Sequence, residues 1–193
     1  MKLHIKNVRL TFPHLFEAAQ VQGQGEAKYS AAFILPKDHP QKAEIERAMV
    51  DSAKQKWGEQ KYMDVLKSLK AGDRLMLHDG DAKSEIPGYA GNLFFNAGNK
   101  VRPLVIGPDR APLTAADGKP YSGSYVNVIV EVWAQDNQFG KRVNASLLGV
   151  QFVKDGERLA GGGVASADDF EAIPEDKTEA ATKSGNGAGG LFD

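Results

Sequence analysis

The chain has no cysteine among its 193 residues. That excludes a disulfide framework, a thiolate metal site and a cysteine nucleophile. Histidine is sparse: His4, His14, His39 and His78 are scattered without HxxxH or related ligand spacing. Structural or surface roles are expected of them, not metal binding or base catalysis. No apolar run approaches the length of a membrane span, and the opening MKLHIKNVRL alternates instead of building a signal-peptide core. A soluble, cytoplasmic protein is expected. GxSxG and Walker motifs are missing, and Gly185–Gly190, which spells GxGxxG, lacks the strand before it and the helix after it that dinucleotide binding requires. Asp79, Asp81 and Glu85 stand close in HDGDAKSE without EF-hand spacing. They read as turn residues, a metal-dependent nuclease being the alternative they leave open. The chain is expected to be a binder, not an enzyme, with no metal and no cofactor.

Net charge is also small, −1 overall, but unevenly distributed. Through Ser166 there are 22 Lys and Arg against 18 Asp and Glu, a balance of +4; from Ala167 onward 2 face 7, a balance of −5. A mildly basic body with an acidic tail follows. The tail begins around Gly161-Gly162-Gly163, runs acidic over Ala167–Glu179, turns Gly-rich over Lys183–Gly190 and ends Leu-Phe-Asp. With too few apolar residues to offset the entropy of ordering, it is expected to be disordered. The expected division is a domain over 1–160 and a flexible tail over 161–193.

What the body does contain is β-pattern. Tyr121–Trp133, YSGSYVNVIVEVW, places Val126, Val128, Val130 and Val132 on one face. Tyr125, Asn127, Ile129, Glu131 and Trp133 fall on the other. So long a strand, entered through Ser122-Gly123-Ser124, suits a small barrel in which strands bend to serve two sheets. Residues 2–12 read as a strand with a phase slip at Asn7, ended by Pro13. Gln20–Glu26 reads as a loop, and Tyr29–Leu35 as the next strand, stopped by Pro36. Asp38-His-Pro-Gln41 predicts a helix start, with Ile45, Met49, Ala53 and Trp57 at i+4 steps and Gly58 closing. Tyr62, Val65, Leu66 and Leu69 predict a second helix before Gly72. Further strands are expected at Arg74–His78, Ala90–Asn96, Val101–Ile106 and Val143–Val153. The fold expected is mainly β, a five-stranded OB-type barrel with a helical insertion.

Cations recur beside aromatics along these strands: Lys28 by Tyr29, Lys100 and Arg102 after Phe94-Phe95, Lys141 and Arg142 after Phe139. Aromatic faces for stacking and Lys or Arg for phosphates are what sequence-tolerant single-strand binding requires. The candidate set is Lys28, Lys100, Arg102, Lys141 and Arg142 for phosphates, and Phe94, Tyr121, Tyr125 and Trp133 for bases.

With those residues in place, the chain resembles a phage-encoded single-stranded DNA-binding protein family of the OB-fold type, long catalogued only as an uncharacterised phage and prophage domain. The matching stretches are YSAAFILPK from Tyr29, LFFNAGNK from Leu93 with Arg102-Pro103 following, YSGSY from Tyr121, and Gly140–Gly156 with its LLGVQFVKDG segment. The resemblance implies a protein that coats single-stranded DNA in phage replication and recombination inside the host cytoplasm. The tail resembles protein-docking tails of bacterial and phage single-strand binders. Asp168, Asp169, Glu171, Leu191, Phe192 and Asp193 are its candidate contacts for phage or host replication and recombination proteins. Strand annealing, RNA binding, or a structural role with the Tyr125/Trp133 face as a subunit interface are the alternatives the residues leave open.

Overall fold

The structure, a computed structural model, describes residues 1–21 and 24–159. The tail contacts expected at Asp168–Glu171 and Leu191–Asp193 lie outside the described residues. Among the described residues seven strands form one sheet: β1 (Lys2–Val21), β2 (Gln24–Pro36), β3 (Leu77–Asp79), β4 (Asn92–Asn99), β5 (Leu104–Ile106), β6 (Tyr125–Asn137) and β7 (Gly140–Lys154). Their order is β3-β4-β2-β1-β6-β7-β5. Every pairing is antiparallel except that of β5 with β7. The mainly β, OB-type expectation holds, with two differences. The three-residue strands β3 and β5 join as edges, making seven strands instead of five. The ring is not closed by a ladder among the described residues. Instead, β4 is tied to β7 by the Asn99 side-chain amide, which donates to the Leu147 carbonyl at 3.1 Å.

The alternation in β6 places Val126, Val128, Val130 and Val132 in the core, each fully buried. They meet Leu3, Ile5, Val8 and Leu10 of β1, Phe33 of β2 and Phe95 of β4. The expected slip at Asn7 is present: the β1–β6 register shifts between Ile5 and Val8, and Asn7 has φ 52°. Asparagine tolerates that left-handed conformation better than most residues. Its N–H is held by the Asn127 side chain, which in turn donates to Gln151. An amide relay across β1, β6 and β7 thus pins the bulge.

Pro13 does not end β1. A second bulge lies between Thr11 and His14, and the strand runs on to Val21. A bulge position needs no ladder N–H, so proline fits there. Of the segment expected to be a loop, Gln20 and Val21 accordingly belong to β1 and Gln24–Glu26 to β2, with Val21 paired to Gln24. Tyr121 precedes β6 instead of belonging to it, because the chain turns at Gly123 (φ 110°), where a Cβ would collide with the Glu157 carbonyl.

The two helices, α1 (Lys42–Trp57) and α2 (Tyr62–Ala71), fall between β2 and β3 as expected. Ile45, Ala48, Met49 and Ala53 bury the inner face of α1, and the Ser52 hydroxyl donates to the Val132 carbonyl at 3.1 Å. Asp38 does not cap α1. The helix begins at Lys42, and Gln41 at its N-cap spends its side chain on Lys6 and His4 of β1. The segment after α2 also departs from expectation. Arg74 is outside β3: its N–H donates to the Leu69 carbonyl, and its own carbonyl accepts from Val143 at 3.1 Å. No helix among the described residues is long and apolar enough to cross a membrane.

Candidate nucleic-acid interface

The tie between Arg74 and Val143 sets α2's exit against the β6–β7 hairpin, and an open cleft of about 560 Å³ lies beside it. Its walls include Lys28 and Ser30 from β2, Arg74 and His78, Asn96 from β4, and Trp133, Gln135, Arg142 and Asn144 from the hairpin. Trp133 faces outward as the period-2 pattern predicts. It is 41% exposed, with its indole N–H donating to the Ser146 hydroxyl at 2.9 Å. A partly exposed ring held at its N–H edge is a stacking platform with little rotamer freedom left to lose. Lys28, Arg74 and Arg142 form no ion pair among the described residues.

Three of the candidates, Lys28, Trp133 and Arg142, therefore share one cleft, and Lys141 lines a neighbouring depression that shares Arg74 with it. Lys141 lies 3.7 Å from Asp136 and over the Trp57 ring. Lys100 is ion-paired with Glu26, itself a cleft residue, and that contact holds the Glu26 carboxyl below its ordinary range. Arg102 lies over the Phe16 ring at 5.6 Å, away from the cleft walls.

The remaining aromatics separate from this group. Tyr125 is eight residues before Trp133, up to roughly 26 Å along the strand. Its ring is covered by Lys154 at 4.7 Å and Arg9 at 5.9 Å. Tyr121 carries Arg158 at 4.2 Å, and its hydroxyl donates to Asp155 at 3.0 Å. Phe94 is a correction to the stacking set. It is 3% exposed, packed with Ile34 and Tyr89, stacked on His78 at 5.0 Å and topped by Lys83. Adjacent strand residues point oppositely, so Phe95 took the core; the strap at Leu159 and the 80–91 segment then cover Phe94 from outside. The same cluster buries the Tyr89 hydroxyl and pushes its pKa up to about 12.

Arg74 is a cleft cation that sequence reasoning missed. Nothing local marks it, because it reaches the cleft through a turn after α2. The Asp79/Asp81 pair, left open as a metal site, instead grips an ammonium: Lys37 lies 3.1 Å from Asp79 and 2.5 Å from Asp81. Asp81 also accepts from the Gly91 N–H, which, after Lys37, helps hold its pKa below the ordinary carboxylate range.

A family model described as the single-stranded DNA-binding protein of Enterobacter phage Enc34 matches residues 1–182. The chain belongs to this family. A protein p50 of Acyrthosiphon pisum secondary endosymbiont phage 1 is 49% identical over 175 residues, covering 90% of this chain and 94% of that protein. Among solved structures, the Enc34 family's namesake in complex with single-stranded DNA superposes with a TM-score of 0.71 at 29% identity, covering 82% of this chain and 89% of that one. Gp2.5, a single-stranded DNA-binding protein encoded by bacteriophage T7, gives 0.56 at 14% identity over 94% of this chain and 99% of that one, a likeness of fold alone.

Proposed function

We propose that this member of the Enc34 family coats single-stranded DNA without sequence preference, in phage replication and recombination in the host cytoplasm, and performs no catalysis. One observation carries the reading: Lys28, Arg74 and Arg142 line a single open cleft together with the exposed Trp133 ring. The three cations neutralise phosphates, and the indole takes a base. Lys141 and Lys100 extend the cationic track, Lys100 exchanging Glu26 for phosphate. Arg102, Tyr121 and Tyr125 lie outside the cleft and contribute less. The single-stranded DNA held by the Enc34 protein, a homologue over most of both chains, supports the same ligand here. A titration with labelled oligo-dT and an equal-length duplex, at two salt concentrations, tests it. Single-strand preference with a steep salt slope is expected. Absence of binding transfers the Trp133 face to a subunit interface.

Trp133→Ala is expected to weaken oligo-dT binding by about 1–3 kcal/mol while leaving the fold intact, since the ring is outside the core. An unchanged affinity in a folded variant would remove Trp133 from the path.

The tail has two proposed roles. Deleting residues 167–193 removes five net negative charges. If the tail competes for the cleft as a tethered polyanion, the truncated protein binds oligo-dT more tightly, and the gain shrinks as salt rises. Alanines at Leu191 and Phe192 keep every charge, so DNA affinity stays at the wild-type value while capture of replication and recombination proteins is lost. Equal affinity of full-length and truncated protein at low salt would dispose of the competition.

A further inference from the structure

Phe12 has a backbone that an aromatic residue rarely adopts. Its φ is 48°, at the second bulge of β1, where the β1–β2 register breaks between Thr11 and His14. A bulky side chain in the left-handed region costs conformational energy, and such outliers persist where the surrounding structure holds them. The result of the bulge is to turn the ring outward: Phe12 is 51% exposed on a sheet whose neighbouring Leu10 and Leu15 are buried. Bulges re-aim side chains in this way.

The ring overlooks a second trough of about 530 Å³, lined by His14, Gln20, Ser30, Ala32 and Asn96 among others, and by no carboxylate. Its floor is small side chains, which leaves room for a flat group against the ring. Ser30, Asn96 and Ala19 are walls of both this trough and the Trp133 cleft. The two depressions therefore adjoin at β2 and β4, Trp133 lining one and Phe12 the other. We infer that Phe12 is a second base-stacking residue, receiving nucleotides of the same single strand after they leave the Trp133 cleft over Ser30 and Asn96. The inference rests on the proposed single-strand binding and adds the direction in which the strand leaves the cleft.

The occupant is a nucleotide base in preference to a protein partner because the trough adjoins a cation-lined cleft and contributes hydrogen-bonding groups at Ser30, Asn96 and Gln20. Amide, hydroxyl and imidazole groups around an open aromatic suit bases and sugars without demanding one sequence.

The test is a length series of oligo-dT from about 4 to about 16 nucleotides, the range of site sizes for one OB fold. It uses the full-length chain and its Phe12→Ala and Phe12→Gly variants. The long oligonucleotide should bind both variants roughly 5- to 150-fold more weakly than wild type, whereas the shortest, which fills only the Trp133 cleft, binds all three alike. Phe12→Gly relieves the left-handed strain, so its thermal midpoint should equal or exceed that of wild type. That separates lost stacking from lost folding. Equal affinity of folded variants and wild type at every length overturns the inference and leaves the cleft reading intact. Failure of wild type itself to bind oligo-dT overturns both.

Discussion

Phe95→Ala is expected to destabilise the folded chain by about 3–5 kcal/mol, the usual cost of deleting a fully buried aromatic ring. Phe95 is completely inaccessible, directly opposite Phe33 in the β2–β4 ladder, with ring centroids 5.1 Å apart and planes at 26°. Truncation leaves a cavity where β2 and β4 meet the valine row of β6, and a sheet pinned on both sides cannot collapse into it. Urea unfolding followed by circular dichroism measures the loss. A double-mutant cycle with Phe33→Ala should show coupling of about 0.5–1.5 kcal/mol from the stacked pair. Phe94→Ala, one residue away, distinguishes the outer cluster from a binding role. It should lower the unfolding midpoint while the folded protein binds oligo-dT with wild-type affinity. Normal stability with weakened binding would return Phe94 to the stacking set.

Alanine at Lys28, Arg74 and Arg142 together should remove most of the electrostatic drive of the cleft. At roughly 0.7 per phosphate contact on a single strand, the slope of log K against log salt becomes shallower by about 2. The wild-type advantage then changes roughly a hundredfold across a tenfold range of salt. All three side chains are outside the core and free of ion pairs among the described residues, so the fold is expected to survive. Adding Lys100→Ala should flatten the slope by less than a full contact, because that ammonium must first leave Glu26. An unchanged slope in the triple variant means that the strand runs elsewhere on the surface.

Period-2 alternation made β6 legible without coordinates, since a strand with one face in the core must repeat every second residue. Val126, Val128, Val130 and Val132 occupy the core as that rule requires, and Trp133 is outside for the same reason. The slip at Asn7 was equally legible, because Leu3 and Ile5 stand in one phase and Val8 and Leu10 in the other, and all four are buried. The i+4 steps of α1, the insertion of both helices between strands and the acidic bias of the last 27 residues also follow from local order alone. Tertiary structure decided what depends on residues distant in sequence. It assigned Phe95 to the core and covered Phe94, a choice that alternation permits in either direction until the 80–91 segment and Leu159 are in place. It carried β1 through Pro13, because a bulge removes the need for the missing N–H. It also brought Arg74 to Arg142 and Trp133 by a backbone hydrogen bond from Val143. Tyr125 it left up to roughly 26 Å from Trp133 on the same face of the same strand. Local periodicity determines which way a side chain points; only the packing of distant elements determines what stands opposite, and the cleft is made of residues that stand opposite.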